Sequence, residues 1–163
     1  MDKHTWHILE ILEENARATP EDIASQTGLP VTEVNDIISK LEKDKIIRKY
    51  KTIIDWEQAG EDYVYAIIEL KVVLERKQGY QAIAERLYKF PEVRSVRLIS
   101  GDHDISITVR GRSMKEVAFF VAEKIATLEQ IHSTSTHFVL KTYKEDGFIF
   151  DEPEKIKRLP VSP

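Results

Sequence analysis

Apolar residues at Ile8, Leu9, Ile11 and Leu12 recur at helical spacing, and Thr5 ahead of them is a hydroxyl able to cap the helix they define. Thr19-Pro20-Glu21-Asp22 is a second start signal. It combines a hydroxyl cap, a proline in the first turn, and acids facing the positive end of a helix. Gly28 after Thr27 suits the left-handed residue that stops that helix. Val34, Ile37, Ile38 and Leu41 then form a third apolar stripe at helical offsets. Residues 45–54 are β-rich between polar flanks and predict a wing or short ribbon. Residues 1–54 are therefore expected to form a winged helix-turn-helix.

Residues 55–62, with Gly60, form a hinge, and beyond them the pattern becomes mixed α and β. Val64, Ala66, Ile68, Leu70, Val72 and Leu74 alternate as one strand does. Tyr80, Ile83, Ala84 and Leu87 make a helix stripe closed by Phe90-Pro91. Val96 and Leu98 mark a second strand, and Ile105, Ile107 and Val109 a third. Ser113-Met114-Lys115-Glu116 is a capping-box sequence opening a helix through Val117, Ala118, Val121 and Ile125. Phe138 and Leu140 alternate in a fourth strand beginning near Ser133. Strand-helix-strand twice over predicts a ferredoxin-like βαββαβ domain over residues 63–143, so the chain is α+β overall. Residues 144–163 are charged and proline-containing, a strand remnant at 148–150 followed by a tail.

Both helices of such a domain cover one face of the sheet. The opposite face carries Tyr63, Tyr65, Ile67 and Val73, which is apolar enough to need a cover; a second copy of the same sheet is the simplest one, and the C-terminal segment folding back over it is the alternative.

Composition narrows the classes. The chain has 163 residues, 42% hydrophobic and 32% charged, as an ordinary globular protein has. It has no cysteine, which excludes a disulfide scaffold, cysteine nucleophiles and thiolate metal sites. The longest apolar runs, residues 63–68 and 117–122, fall far short of the ~20 residues a membrane helix needs. With no secretory h-region, a cytoplasmic location is expected. The net charge is −4, and all of that excess falls within residues 1–60.

Ser100-Gly101-Asp102-His103-Asp104 lies in the turn between the second and third strands. A histidine between two aspartates is compatible with a base, a ligand pair or an amine site, although the motif by itself reads first as a tight turn capped by aspartates. Alternation would point His103 away from Asp102 and Asp104, which argues against a shared metal site. His4 and His7 are three apart on the first helix but lack the other residues of a metalloprotease signature. Ser133-Thr134-Ser135-Thr136-His137 offers hydroxyls on both faces of the fourth strand. There is no G-x-G-x-x-G, phosphate loop or G-x-S-x-G elbow, so no motif supports catalysis or a cofactor.

With these elements in this order, residues 2–143 resemble the Lrp/AsnC (feast/famine) family of transcriptional regulators. The carriers are Asp2 and Ile8-Leu9, Ile23-Ala24 with Gly28-Leu29, Leu41-Glu42 leading to residues 46–50, Ser100-Gly101-Asp102-x-Asp104, and Ser133-Thr134-x-Thr136. The resemblance implies a regulator that binds double-stranded DNA through its N-terminal domain. Its second domain would assemble into dimers, and further into octamers, and bind a small molecule, usually an amino acid. Gly101, Asp102, Asp104, Thr134 and Thr136 would line that effector site. Thr32, Asn35, Ser39 and Lys40 are the expected groove contacts, and Arg48, Lys49 and Lys51 would reach phosphate. Glu33 and Asp36 on the same helix oppose DNA. Two alternatives stand beside this reading. One is an effector-sensing assembly protein of the same fold that does not bind DNA. The other is an enzyme similar to siroheme decarboxylases, using Arg94, Arg97 or Arg110 with His103 or His137.

Overall fold

The computed structural model describes residues 1–74 and 79–150. The chain forms two compact units, Met1–Ile54 with the segment from Lys144 on, and Asp55–Tyr143.

The first unit holds helices α1 (Lys3–Glu14), α2 (Pro20–Thr27) and α3 (Val31–Lys43). Ile8, Ile23 and Val34, one from each helix, are fully buried at its centre. Each contributes ~1.5–3 kcal/mol on complete burial. Helix α2 starts and stops as its sequence dictates. Thr19 and Asp22 form a reciprocal capping box, Pro20 occupies the first turn, and Gly28 closes the helix at φ 73°. The cap of α1 is not Thr5, however. Asp2 caps it, accepting from the Thr5 backbone N–H at 2.9 Å and from the Thr5 hydroxyl at 2.7 Å. Thr5 is buried inside the first turn, so its hydroxyl serves as the carboxylate's donor.

The expected ribbon at residues 45–54 contains no strand. Lys45 takes φ 57°, and the Ile46 and Ile47 N–H groups both donate to the Leu41 carbonyl, at 2.9 and 3.1 Å. After that sharp exit the chain runs on without a partner strand, and a ladder requires one. The Tyr50 hydroxyl donates to Glu42 at 2.9 Å and holds the arm to the end of α3. Desolvation, and secondarily the Glu42 carboxylate, push the Tyr50 pKa up. The strand remnant near Phe148 is half of a hairpin, β5 (Lys144–Glu145) with β6 (Phe148–Ile149). Asp146 and Gly147, at φ 45° and 86°, form its turn. Both central residues at positive φ is what an Asp-Gly two-residue hairpin loop needs. Residues 151–163 of the expected tail lie outside the described residues.

The second unit contains β1 (Val64–Val72), α4 (Tyr80–Leu87), β2 (Val93–Leu98), β3 (Ile105–Gly111), α5 (Met114–Phe120) and β4 (Ile131–Phe138). A π-helical turn at Val121–Ile125 continues α5 and keeps Val121 and Ile125 buried. The strands are antiparallel in the order β2-β3-β1-β4, the ferredoxin-like arrangement. Ala66, Ile68 and Leu70 on β1 and Ile105, Ile107 and Val109 on β3 face the helices and form the core with Ile83, Leu87, Val117 and Ile125. Phe90 and Phe120 meet edge to face, with centroids 5.5 Å apart, beside that core. Residues 55–62 pack within this unit. Trp56 stacks edge to face on Tyr63 at 5.5 Å, and Arg112 reaches Glu61 at 3.4 Å.

The open face of the sheet is less apolar than β1 alone suggests. Register puts Thr108 and His137 on either side of Ile67, Ser106 and Ser135 beside Glu69, and Arg110 beside Tyr65. Ile67 is 41% exposed and Val73 56% exposed, while the Arg110 guanidinium covers the Tyr63 ring at 4.3 Å.

Candidate DNA-binding face and effector site

In the first unit, the apolar stripe of α3 turns inward and fixes what faces out. Thr32, Glu33, Asn35, Asp36, Ser39 and Lys40 are all exposed. They share one helix surface, as a groove-entering helix requires. The Asn35 side-chain amide donates to the Val31 carbonyl at 3.1 Å, a bond it must give up to contact a base. Arg48, Lys49 and Lys51 are exposed along the arm after α3. Lys51 pairs with Asp146 of the hairpin at 3.4 Å, with both side chains largely in solvent. Such a pair is worth little and yields readily to phosphate. His4 and His7 are exposed on α1.

In the second unit, the turn between β2 and β3 holds Gly101 at φ 119°, where a side chain would be strained. Asp102 follows, exposed. Its carbonyl accepts a bond of 2.7 Å from the Lys71 ammonium, which brings that cation to the turn. Asp104 is occupied differently. Its Oδ2 accepts from the Val72 backbone N–H at 2.8 Å, its Oδ1 meets the Tyr80 hydroxyl at 3.4 Å, and Lys71 Nζ stands 4.0 Å away. Asp104 thus ties the end of β1 to the first turn of α4. His103 points across the open face to Glu69, Nδ1 to Oε2 3.7 Å, and His137 reaches the same oxygen at 3.3 Å. Ser135 Oγ lies 3.2 Å from His137 Nε2.

Thr134 and Thr136 pair with Leu70 and Ile68 and therefore share the helix-side face, half-buried. They sit on β4, with β1 between them and the turn that precedes β3. The structure thus joins Gly101, Asp102 and Asp104 in one turn and sets the two threonines apart. Lys71, Glu69 and the Tyr80 hydroxyl are polar partners that no motif singles out. A carboxylate and an ammonium interrupting an otherwise apolar strand at Glu69 and Lys71 were the available signal.

Of the residues named for an enzyme, His103 and His137 converge on Glu69, while the arginines have other partners. Arg97 bonds the Ser95 hydroxyl at 2.8 Å, and Arg110 stacks on Tyr63. The cleft that Arg110 lines, about 270 Å³ with Tyr63, Glu92, Arg112 and Glu116, includes neither His103 nor His137. Among the described residues no group of His, Asp and Glu is arranged to hold a metal ion.

Residues 65–149 match the family described as the Lrp/AsnC ligand binding domain, and residues 1–48 match a winged helix-turn-helix DNA-binding family. The chain belongs to the Lrp/AsnC family of transcriptional regulators. It is 50% identical over 157 residues to the HTH-type transcriptional regulator YugG of Bacillus subtilis, covering 96% of this chain and 95% of that one. AsnC of E. coli superposes with a TM-score of 0.72 at 26% identity, over 89% of this chain and 95% of its own. The Neisseria meningitidis regulator NMB0573, solved as an L-methionine complex, has the same fold, with a TM-score of 0.74 at 24% identity over 89% and 93%. Within the family, the helix-turn-helix unit is the DNA-binding domain and the βαββαβ unit the ligand-binding domain. No described helix is long and apolar enough to cross a membrane.

Proposed function

We propose that this regulator reads DNA with α3 and the following arm, and that an amino acid bound at the Gly101 turn modulates it. The observation that carries the effector reading is the pairing of opposite charges at one turn. The exposed Asp102 carboxylate and the Lys71 ammonium flank a glycine whose backbone a ligand can approach. A carboxylate suits an α-ammonium group, and an ammonium with backbone N–H groups suits an α-carboxylate. The L-methionine complex of a protein with this fold supports that class of ligand. In this reading Gly101, Asp102 and Lys71 contact the effector, and Asp104 positions them. Thr134 and Thr136 face the helices and are assigned no direct contact. Thr32, Asn35, Ser39 and Lys40 enter the major groove, while Arg48, Lys49 and Lys51 hold phosphate. Assembly uses the open sheet face around Tyr65 and Ile67 in a two-fold dimer, with octamers built from dimers.

Calorimetric titration of the full protein with each of the common amino acids tests the effector. One or a few should bind, and Asp102→Ala and Lys71→Ala should each weaken binding ~10-fold or more, the loss of one charge-assisted bond. Binding by none of them refutes an amino-acid effector. Recovery and sequencing of bound genomic fragments tests the DNA reading. Glu33 and Asp36, exposed beside the groove contacts, favour the second reading of a sensor that does not bind DNA. Failure to enrich any fragment at low salt would establish that alternative.

A further inference from the structure

Helices α1 and α2 flank an open surface groove of about 470 Å³ in the first unit, with Glu10, Ile11, Glu14, Ala18 and Asp22 among its lining residues. Ile11 and Ala18 supply apolar floor, and Glu10, Glu14 and Asp22 put three carboxylates around it. Bonds from the Thr19 backbone N–H and hydroxyl lower the Asp22 pKa, so that group stays ionised. Among the described residues neither Glu10 nor Glu14 is in a salt bridge. The groove is therefore a concentrated negative surface with an apolar base.

The chain itself carries a complement. Lys155-Ile156-Lys157-Arg158-Leu159 combines three cations with two apolar residues, beyond the last described residue, Phe150, and follows the acids Asp151, Glu152 and Glu154. The β5–β6 hairpin from which this segment departs belongs to the same compact unit as α1–α3. An extended chain gains ~3.3–3.6 Å per residue, so residues 155–159 reach about 15–30 Å from Phe150. A unit of this size has a radius of gyration of about 10 Å, so that reach is comparable with its diameter of about 25 Å. Tethering also gives the segment a local concentration of about millimolar, enough for weak surface pairs to be populated.

We infer that the α1–α2 groove is the docking site of residues 155–159 of the same chain, with Lys155, Lys157 and Arg158 set against Glu10, Glu14 and Asp22 and with Ile156 and Leu159 over Ile11 and Ala18. Docking offsets part of the acidity of the N-terminal unit. Because the pairs are exposed, it weakens with salt.

The test uses the full chain without DNA. Zero-length carbodiimide coupling of an equal mixture of isotopically heavy and normal protein should join Lys155 or Lys157 to Glu10, Glu14 or Asp22 within one chain. Added salt should suppress the products. Amide hydrogen exchange over residues 10–26 should quicken about three- to tenfold in Lys155→Glu/Lys157→Glu/Arg158→Glu, with the second unit unchanged. Adding Glu10→Lys and Glu14→Lys to that variant should restore the slow exchange. Unchanged exchange in the triple variant overturns the inference. So does a product in which about half of the cross-links join a heavy to a normal chain, since the segment then docks on a second copy.

Discussion

Replacing Asp104 by alanine should destabilise the second unit, although the residue sits in a surface turn beside the proposed effector contacts. Its side chain is only 20% exposed, and its carboxylate accepts the Val72 N–H at 2.8 Å. Removing it deletes a charge-assisted bond and leaves a part-buried backbone donor unpaired, a loss of about 1.5–3 kcal/mol. The longer contact to the Tyr80 hydroxyl, at 3.4 Å, adds little. With a urea dependence of about 1–2 kcal/mol/M for a unit of this size, the midpoint should fall by roughly 1–2 M. Trp56 lies in this unit and Trp6 in the other, so fluorescence of the Trp6→Phe protein follows the second unit alone. Asp104→Asn keeps an acceptor for Val72 and should recover about half of the loss. Asp102→Ala, on the exposed part of the same turn, should stay within the ~0.5 kcal/mol usual for surface changes. A midpoint for Asp104→Ala within that same margin would refute the argument, because the Val72 bond would then contribute nothing to the fold.

Four further outcomes follow from other particulars of the structure. The Thr5 backbone N–H and then its hydroxyl hold the Asp2 carboxyl at about 2, below its ordinary 3.8. The stabilisation is therefore complete above the ordinary value and lost as pH falls through the depressed one. The melting-temperature gap between the protein and Asp2→Ala should be constant above about pH 5 and close between about pH 4 and 2; a gap that persists at the acid end contradicts the cap. A Cβ on Gly111 would lie 2.8 Å from Val117 Cγ2, so Gly111→Ala should cost ~1–3 kcal/mol in urea unfolding and be partly relieved by Val117→Ala. Gly28→Ala meets no neighbour within 4 Å yet sits at φ 73°, so its cost of ~1–2 kcal/mol should be relieved by Asn at position 28 instead. Glu33→Gln with Asp36→Asn should tighten binding to random DNA more than it improves discrimination for an operator, since the repulsion removed is blind to sequence. A salt titration measures this, and unchanged affinity for random DNA would mean that this face of α3 does not meet the duplex.

The sequence alone determined the elements whose causes are local. The capping box at Thr19, the left-handed stop at Gly28, the apolar stripe of α3 and the alternation along β1 each depend on residues a few positions apart, and each stands as its spacing dictates. Strand-helix order, together with the handedness of strand connections, was then enough for the βαββαβ topology. Turn chemistry is also local at Asp146-Gly147, a two-residue hairpin signal that lies within the segment itself. What the tertiary structure decided depends on partners far apart in the chain. Asp104 and Val72 are separated by 32 positions, and only strand pairing reveals that this carboxylate clamps a backbone donor while Asp102 two residues earlier stays exposed. Register across β1 likewise turned Thr134 and Thr136 toward the helices and gathered His103, Glu69 and His137 on the open face. The segment after α3 has β propensity but no partner strand, so it remains an irregular arm. Propensity acts within a segment, whereas a ladder, a clamp or a binding turn exists only once packing has brought its second half alongside.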